Sequence, residues 1–173
     1  MSPKYMDAEP LTTFESSLQG VATVHTTTAE TFSDTLGDAI EPPAVGTPLP
    51  YDGVSLADAA VTLDPSPLDI EAAETGVTPT GMGIADYGTV TLPSGAPGEE
   101  LVSLYPPQHV AVVAASDVVS DMPAAYERLS EDFERGTDTQ ILATGPSATA
   151  DMGTLVQGVH GPQETHVVVL EDR

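Results

Sequence analysis

The apolar positions of this chain fall into short runs whose spacing alternates between the two-residue period of a strand and the 3.6-residue period of a helix. Val21-Ala22-Thr23-Val24-His25 reads as a strand. Phe32, Leu36 and Ile40 then recur at helical spacing with Glu30 and Asp34 outward, so a helix is expected over 29–40, capped by Thr28 and stopped by Pro42-Pro43. Prolines crowd residues 44–69, where the apolar runs at 54–61 and 61–63 fit the ends of either element. Thr89-Val90-Thr91-Leu92 alternates like a strand and meets a turn at Pro93-Ser94-Gly95, whereas Val110-Ala111-Val112-Val113-Ala114 is the unbroken apolar strand of a buried parallel sheet. Ser120 or Asp121 caps a helix over 122–133 with Tyr126, Leu129 and Phe133 on its apolar stripe, Glu127, Glu131 and Asp132 solvated, and Gly136 at its end. Residues 141–143 and 166–170 supply two more strands. Strand, helix, strand at this spacing predicts an α/β fold, a mostly parallel central sheet with flanking helices. One domain over 21–173 is expected, behind a polar leader over 1–20 that ends in a short helix at 11–18.

Composition changes this picture in two ways. At 173 residues the chain can bury a core without staples, and having no cysteine it offers no disulfide, no thiolate-ligated metal or cluster and no Cys nucleophile. Against 27 Asp and Glu stand four basic residues, Lys4, Arg128, Arg135 and Arg173, for a formal net charge of −23. Such a surface repels phosphate backbones and anionic lipid, so neither nucleic acid nor membrane is an expected partner. A folded domain this acidic repels itself until concentrated cations screen it, which points to a halophilic source. No run approaches the roughly 18 apolar residues of a membrane span, and the first residues lack the apolar run of a signal peptide. A cytoplasmic protein is expected.

Candidate chemistry gathers in two glycine-proline loops beside strands. Gly145-Pro146-Ser147, with Thr149 and Asp151 beyond it, can turn backbone N–H groups and a short helix N-terminus toward an anion at the carboxyl end of a strand; it can equally be a tight turn in which Ser147 caps that helix. His160, between Gly158-Val159 and Gly161-Pro162, sits on a rigid loop where an imidazole can polarise a carbonyl or exchange a proton, or simply tie the loop down. His109 and His166 stand at strand entries and read as structural; His25 has no context. Asp86, before Gly88-Thr89, is a candidate base or nucleophile with Thr89 and Ser94 as companions, or else a turn-fixing carboxylate. The histidines lack the spacing of a zinc site, no Walker motif or dinucleotide fingerprint is present, and neither metal nor cofactor is expected.

Four ordered blocks carry a resemblance. Residues 85–92 (Ala-Asp-Tyr-Gly-Thr-Val-Thr-Leu), 101–113 (Leu-Val-Ser-Leu-Tyr-Pro-Pro-Gln-His-Val-Ala-Val-Val), 145–151 (Gly-Pro-Ser-Ala-Thr-Ala-Asp) and 158–168 (Gly-Val-His-Gly-Pro-Gln-Glu-Thr-His-Val-Val) resemble, in the same order, the LUD domain of the lactate utilization protein C family. The match is best over 76–172 and poor over the first 75 residues. It implies the fold shared by glucosamine-phosphate deaminases, ribose-5-phosphate isomerases and CoA transferases. It also implies a place in a system oxidising L-lactate to pyruvate, whose partner subunits hold the iron–sulfur clusters. This chain departs from the family at Asp86, where Glu is usual, and at Gln163, where a basic residue is common. Two functions follow. In one, the chain is a cluster-free accessory protein that binds a small anionic ligand or the iron–sulfur subunits, alone or as a homo-oligomer. In the other, it is a stand-alone isomerase or acyl/CoA-type transferase using Asp86 and His160, with Thr89, Ser94, Gly145, Ser147, Thr149, Asp151 and Gly161 as ligand contacts.

Overall fold

A strand apolar on both of its sides needs cover on both faces, and the segment around Val110–Val113 sits accordingly at the centre of the molecule. The computed structural model describes residues 8–151 and 153–173. Its main sheet comprises β1 (Thr23–Thr27), β2 (Ala44–Gly46), β3 (Val61–Leu63), β4 (Thr75–Pro79), β7 (Gln108–Ala114) and β12 (Glu164–Leu170) in the spatial order β1-β12-β7-β4-β2-β3, every neighbouring pair parallel. The expected α/β class and parallel central sheet are what the structure shows. β7 and β12, buried through most of their length, are neighbours in its interior.

The two faces of this sheet are covered differently. Val110, Val112, Val168 and Leu170 point to one side and meet Phe32 and Leu36 of helix α2 (Phe32–Ala39), with Val54 and Leu56 from the proline-rich segment. Ala111, Val113, Val167 and Val169 point to the other, where a second β-layer lies instead of a helix. That layer is formed by β5 (Gly83–Ile84), β6 (Thr89–Pro93), β8 (Val118–Val119) and β9 (Gln140–Ala143) in the order β8-β5-β6-β9, with β6 antiparallel to both neighbours. Residues 89–92 and 141–143, expected in the parallel sheet, therefore belong to this one. The cause is the connection before β6. A three-residue 3-10 turn over Ala85–Tyr87 and Gly88, at φ 58°, reverses the chain in four residues, whereas a parallel partner needs a crossover of about a dozen.

Helices close the remaining surfaces. α1 (Ala8–Leu18) delivers Phe14 and Leu18, both fully buried, to the core between the sheets, so the described part of the expected leader packs as part of the fold; residues 1–7 of it lie outside the described residues. α2 starts later than expected. The Thr31 hydroxyl bonds those of Thr27 and Thr28, and the Ala29 N–H goes to Asp172, so residues 29–31 form a turn. α3 (Pro67–Ala72) is capped by a reciprocal Ser66–Asp69 box, and α4 (Glu99–Leu104) lies against β4, where Gly76 admits the Val102 carbonyl. α5 (Met122–Glu134) is capped by the Asp121 carboxylate on the Ala124 N–H at 2.9 Å and covers the outer side of the second sheet. Its buried stripe is Met122, Ala125 and Leu129 against Met82 and Ile84. Tyr126 and Phe133, expected inward, are exposed because the narrow second sheet meets only one side of the helix. Among the described residues no helix is long and apolar enough to cross a membrane.

Candidate functional site

Open parallel sheets usually hold ligands beyond the carboxyl ends of their strands. Here that edge is occupied by the chain itself. The Tyr51 hydroxyl donates to the Val112 carbonyl at 2.9 Å, and burial pushes its pKa up to about 12. The last residues are stitched over the same edge: Glu171 N–H donates to the Thr27 carbonyl, Ser116 N–H to the Arg173 carbonyl, and the Arg173 guanidinium to the Asp52 carbonyl.

The opposite, amino edge carries a cavity. β9 runs in the second sheet, so its carboxyl end delivers Thr144-Gly145-Pro146-Ser147 to the start of β1 and β12 and not to the carboxyl edge expected from sequence. Gly145, at φ 70°, makes the turn, and a Cβ there would lie 3.2 Å from the Val21 carbonyl oxygen. The loop before β12 meets it. Ser147 N–H donates to the Pro162 carbonyl at 2.8 Å, Gly158 N–H to the Ser147 carbonyl at 3.0 Å, and a Cβ on Gly161 would stand 3.1 Å from that of Ser147. Both glycine-proline loops are thus bound into one wall.

That wall borders a half-open cavity of about 230 Å³ between the two sheets. Ser147 is half-buried and His160 exposed at the mouth; Ser103, His109 and Thr165 are buried at the floor, with Leu92, Leu104 and Ile141 as apolar sides. A more open depression of about 410 Å³ adjoins it, sharing Pro146 and Thr165. His109 and Thr165 are register partners on adjacent strands, so they share one face of the sheet. His109 Nε2 lies 2.9 Å from Thr78 Oγ1, and burial pushes the imidazole down to about 4, so it is neutral at pH 7. Thr165 Oγ1 is buried and has no hydrogen-bond partner among the described residues, an uncommon state for a buried hydroxyl. Ser103 Oγ donates to the Glu100 carbonyl at 2.9 Å.

The residues singled out by sequence divide accordingly. Gly145, Ser147, His160 and Gly161 line the cavity together. Thr89 supports it from behind, its hydroxyl 2.6 Å from that of Thr144. Ser94 is elsewhere, bonded to Glu100 at 2.9 Å. Residues 148–151, expected to begin a short helix, instead form β10 (Ala148–Asp151), paired antiparallel with β11 (Thr154–Gln157) in an exposed hairpin. No helix N-terminus faces an anion here, and Ser147 caps none. Thr149 lies on that hairpin; Asp151 is placed there by its backbone, its side chain lying outside what is described. Asp86 is exposed on the 3-10 turn, in a separate depression with Glu9, Thr13 and Ser120, so it does not face His160.

Two cavity residues escaped the sequence reading in function. His109 stood as a structural histidine at a strand entry, and Thr165, one residue before the expected strand, carried no reading of its own. Their pairing at the floor depends on the β7–β12 register between residues 56 positions apart. His25, without context in the sequence, stacks on His166 at 5.1 Å between ring centroids, its Nε2 3.1 Å from His166 Nδ1. Burial, then the neighbouring His25, holds His166 below the usual histidine range.

The LUD domain family model matches residues 68–170. Over 107 residues the chain is 36% identical to lactate utilization protein C of Geobacillus sp. (strain WCH70), covering 60% of this chain and 44% of that protein. Over 164 residues it is 29% identical to lactate utilization protein C of Macrococcus caseolyticus, covering 85% of this chain and 71% of that protein. With the same-named protein of Bacillus subtilis it shares 34% identity over 107 residues, 60% of this chain and 45% of that one. The matched part thus spans less than half the length of the Geobacillus and B. subtilis relatives. The crystal structure of a DUF162 family protein from Deinococcus radiodurans superposes with a TM-score of 0.73 at 22% identity, covering 95% of this chain and 98% of that one, and shares its fold.

Proposed function

The chain belongs to the LUD domain family, and from that premise we propose that it is an accessory protein of L-lactate utilization that binds a small organic acid in the cavity at the amino edge of its parallel sheet. The observation that carries this reading is the convergence of Ser147, His160, His109 and Thr165 on one cavity, from the loop after β9, the loop that leads into β12 with the start of that strand, and the start of β7. Such convergence of a few polar groups in an otherwise apolar concavity is how small-molecule sites are built. The names of the relatives supply the metabolic setting.

The division of labour follows from chemistry. Oxidising lactate removes two electrons, and these 173 residues contain no cysteine to hold an iron–sulfur acceptor. The electrons therefore pass to partner subunits that carry clusters, and this domain contributes ligand binding or docking. The acidic surface fits a cytoplasm rich in salt, and a fold of the sugar-phosphate isomerase and CoA transferase kind accords with the parallel sheet.

Thermal stability in 2 M KCl with added L-lactate or pyruvate tests the binding step. A bound acid at about a hundred times its dissociation constant adds roughly 2.7 kcal/mol of stability. Ser147→Ala and His160→Ala are expected to reduce that gain. Stabilisation that survives both substitutions would place the ligand elsewhere.

A further inference from the structure

We propose that residues 139–163 form the surface through which two copies of this chain associate face to face, with Leu155 of the exposed hairpin at its centre.

Charge singles this segment out. Of the whole chain 18% is charged, yet Asp151 is the one Asp, Glu, Lys or Arg among these 25 residues. Other uncharged runs, such as 75–85 and 108–115, owe that composition to burial. Here Pro162 is the one buried residue among those described, and the rest are half-buried or exposed. Leu142, Leu155, Val156 and Val159 are all exposed, Leu155 to 66%. A surface that shows apolar side chains and omits charge has the composition of an interface core. Its length is of the order of the roughly 20–30 residues that each side contributes to a standard interface.

The backbone points the same way. β9 is the last strand of its sheet, and among the described residues no strand pairs with its outer side. Proteins commonly block such an edge with a charge or a proline, and Gln140-Ile141-Leu142-Ala143 has neither. The β10–β11 hairpin is more exposed still, and a two-stranded ribbon without cover is marginal in water. Ala150 and Leu155 are register partners, so they share one side of the ribbon, and both are exposed. A second copy laid on that side gives the ribbon the cover its own chain lacks. Leu142, Ser147 and His160 border one cavity, and Val159 adjoins His160, so the strand edge, the hairpin base and the loop meet on one side of the molecule.

Charge also identifies the occupant. At a net charge of −23, two copies repel each other wherever carboxylates face carboxylates, and salt weakens that repulsion without reversing it. The neutral face is where they can meet, and in a twofold arrangement it is its own complement. Other exposed apolar groups fail this condition. Leu101 and Tyr105 line a groove with Asp64 and Glu71, while Tyr126 and Phe133 stand on α5 among Glu127, Glu131, Asp132 and Glu134. Those places would set acid against acid in a pair of copies. A basic partner protein would be drawn to them, and it gains no charge complementarity at 139–163.

The test is sedimentation equilibrium of the full chain in 2 M KCl, from micromolar to millimolar concentration, repeated on Leu155→Glu, Leu142→Glu and Leu68→Glu. All three leucines are exposed, so circular dichroism should show the same fold in every variant. The unaltered chain is expected to dimerise within this range. Leu155→Glu and Leu142→Glu each bring a carboxylate against its own copy and are expected to raise the dissociation constant about tenfold or more. Leu68→Glu, on α3, is expected to leave it within about twofold. A monomer at every concentration would overturn the proposal and leave this face to a different protein. A dimer that both Leu155→Glu and Leu142→Glu leave intact, or that Leu68→Glu disrupts, would overturn it by placing the contact elsewhere.

Discussion

His109 shows how one residue's role depends on its surroundings. Its neighbours in sequence, Pro106-Pro107 and a buried strand, mark a strand entry, and a structural histidine is the natural reading. Only the register against Thr165 and the contact with Thr78 turn it into a neutral, half-used hydrogen-bonding group on a cavity wall. Ser147, His160, Gly145 and Gly161 were legible because local chemistry marks them: glycine and proline flank each loop, and only glycine tolerates the φ of 70° at residue 145. Asp86 misled for the same local reason, since a carboxylate before a glycine says nothing of which depression it lines. Burial of His109 has a thermodynamic consequence. Its folded pKa, about 4, lies below the ordinary 6.5, so the unfolded chain takes up the proton first. The stability it contributes is complete above pH 6.5 and is lost as pH falls through the interval down to 4. Between pH 7 and 4.5 the loss amounts to roughly 2–3 kcal/mol. Urea unfolding at the two pH values should show that much less pH dependence in His109→Gln than in the unaltered chain; equal dependence would contradict a buried neutral ring.

At the scale of elements, the parts visible in sequence are those whose burial is decided locally. β7 and β12 were legible because both of their faces are apolar, and α5 because Asp121 caps it and Gly136 follows it. The second sheet was not, because a strand such as Thr89–Pro93 has the same alternation whether its partner runs parallel or antiparallel; the tight turn at Gly88 decides. The β10–β11 hairpin was missed because Ala148–Asp151 is small and polar and Leu155 and Val156 opposite it stay exposed, so no buried face marks either strand. Two glycines in apparently similar settings are expected to respond to alanine with opposite sign. Gly76 is where α4 meets β4, and a Cβ there would lie 1.9 Å from the Val102 carbonyl oxygen. Gly76→Ala should cost about 2 kcal/mol or more, since the helix must move off the sheet. Gly37 lies exposed within α2 with nothing within 4 Å of a Cβ. Gly37→Ala should stabilise by about 0.5–1 kcal/mol through helix propensity alone. Midpoints of urea unfolding check both, and a neutral Gly76→Ala would contradict the close approach of α4.

Across the whole molecule, the excess of carboxylates over basic residues is legible from composition alone. All three described arginines are already paired, Arg128 with Asp117, Arg135 with Glu131 and Asp132, and Arg173 with Asp172, so none is left to neutralise the remaining carboxylates. Raising KCl from about 0.1 M to about 2 M shortens the screening length from about 10 Å to below 3 Å. The melting temperature should therefore rise substantially with KCl; a flat response would contradict the halophilic reading. The polarity of the main sheet is the other global feature, and sequence could not disclose it. Its carboxyl edge is closed by Tyr51 and the last residues of the chain, although the Thr47 and Thr80 hydroxyls lie buried there without partners among the described residues. Its amino edge is open between two sheets, where both glycine-proline loops converge. The most direct test is a map of backbone amide chemical shifts in 2 M KCl during titration with L-lactate and pyruvate. If the amino-edge cavity is the ligand site, the perturbations gather at residues 144–147, 160–165 and 108–110. Perturbations gathered at Thr47, Tyr51 and Thr80 would contradict it.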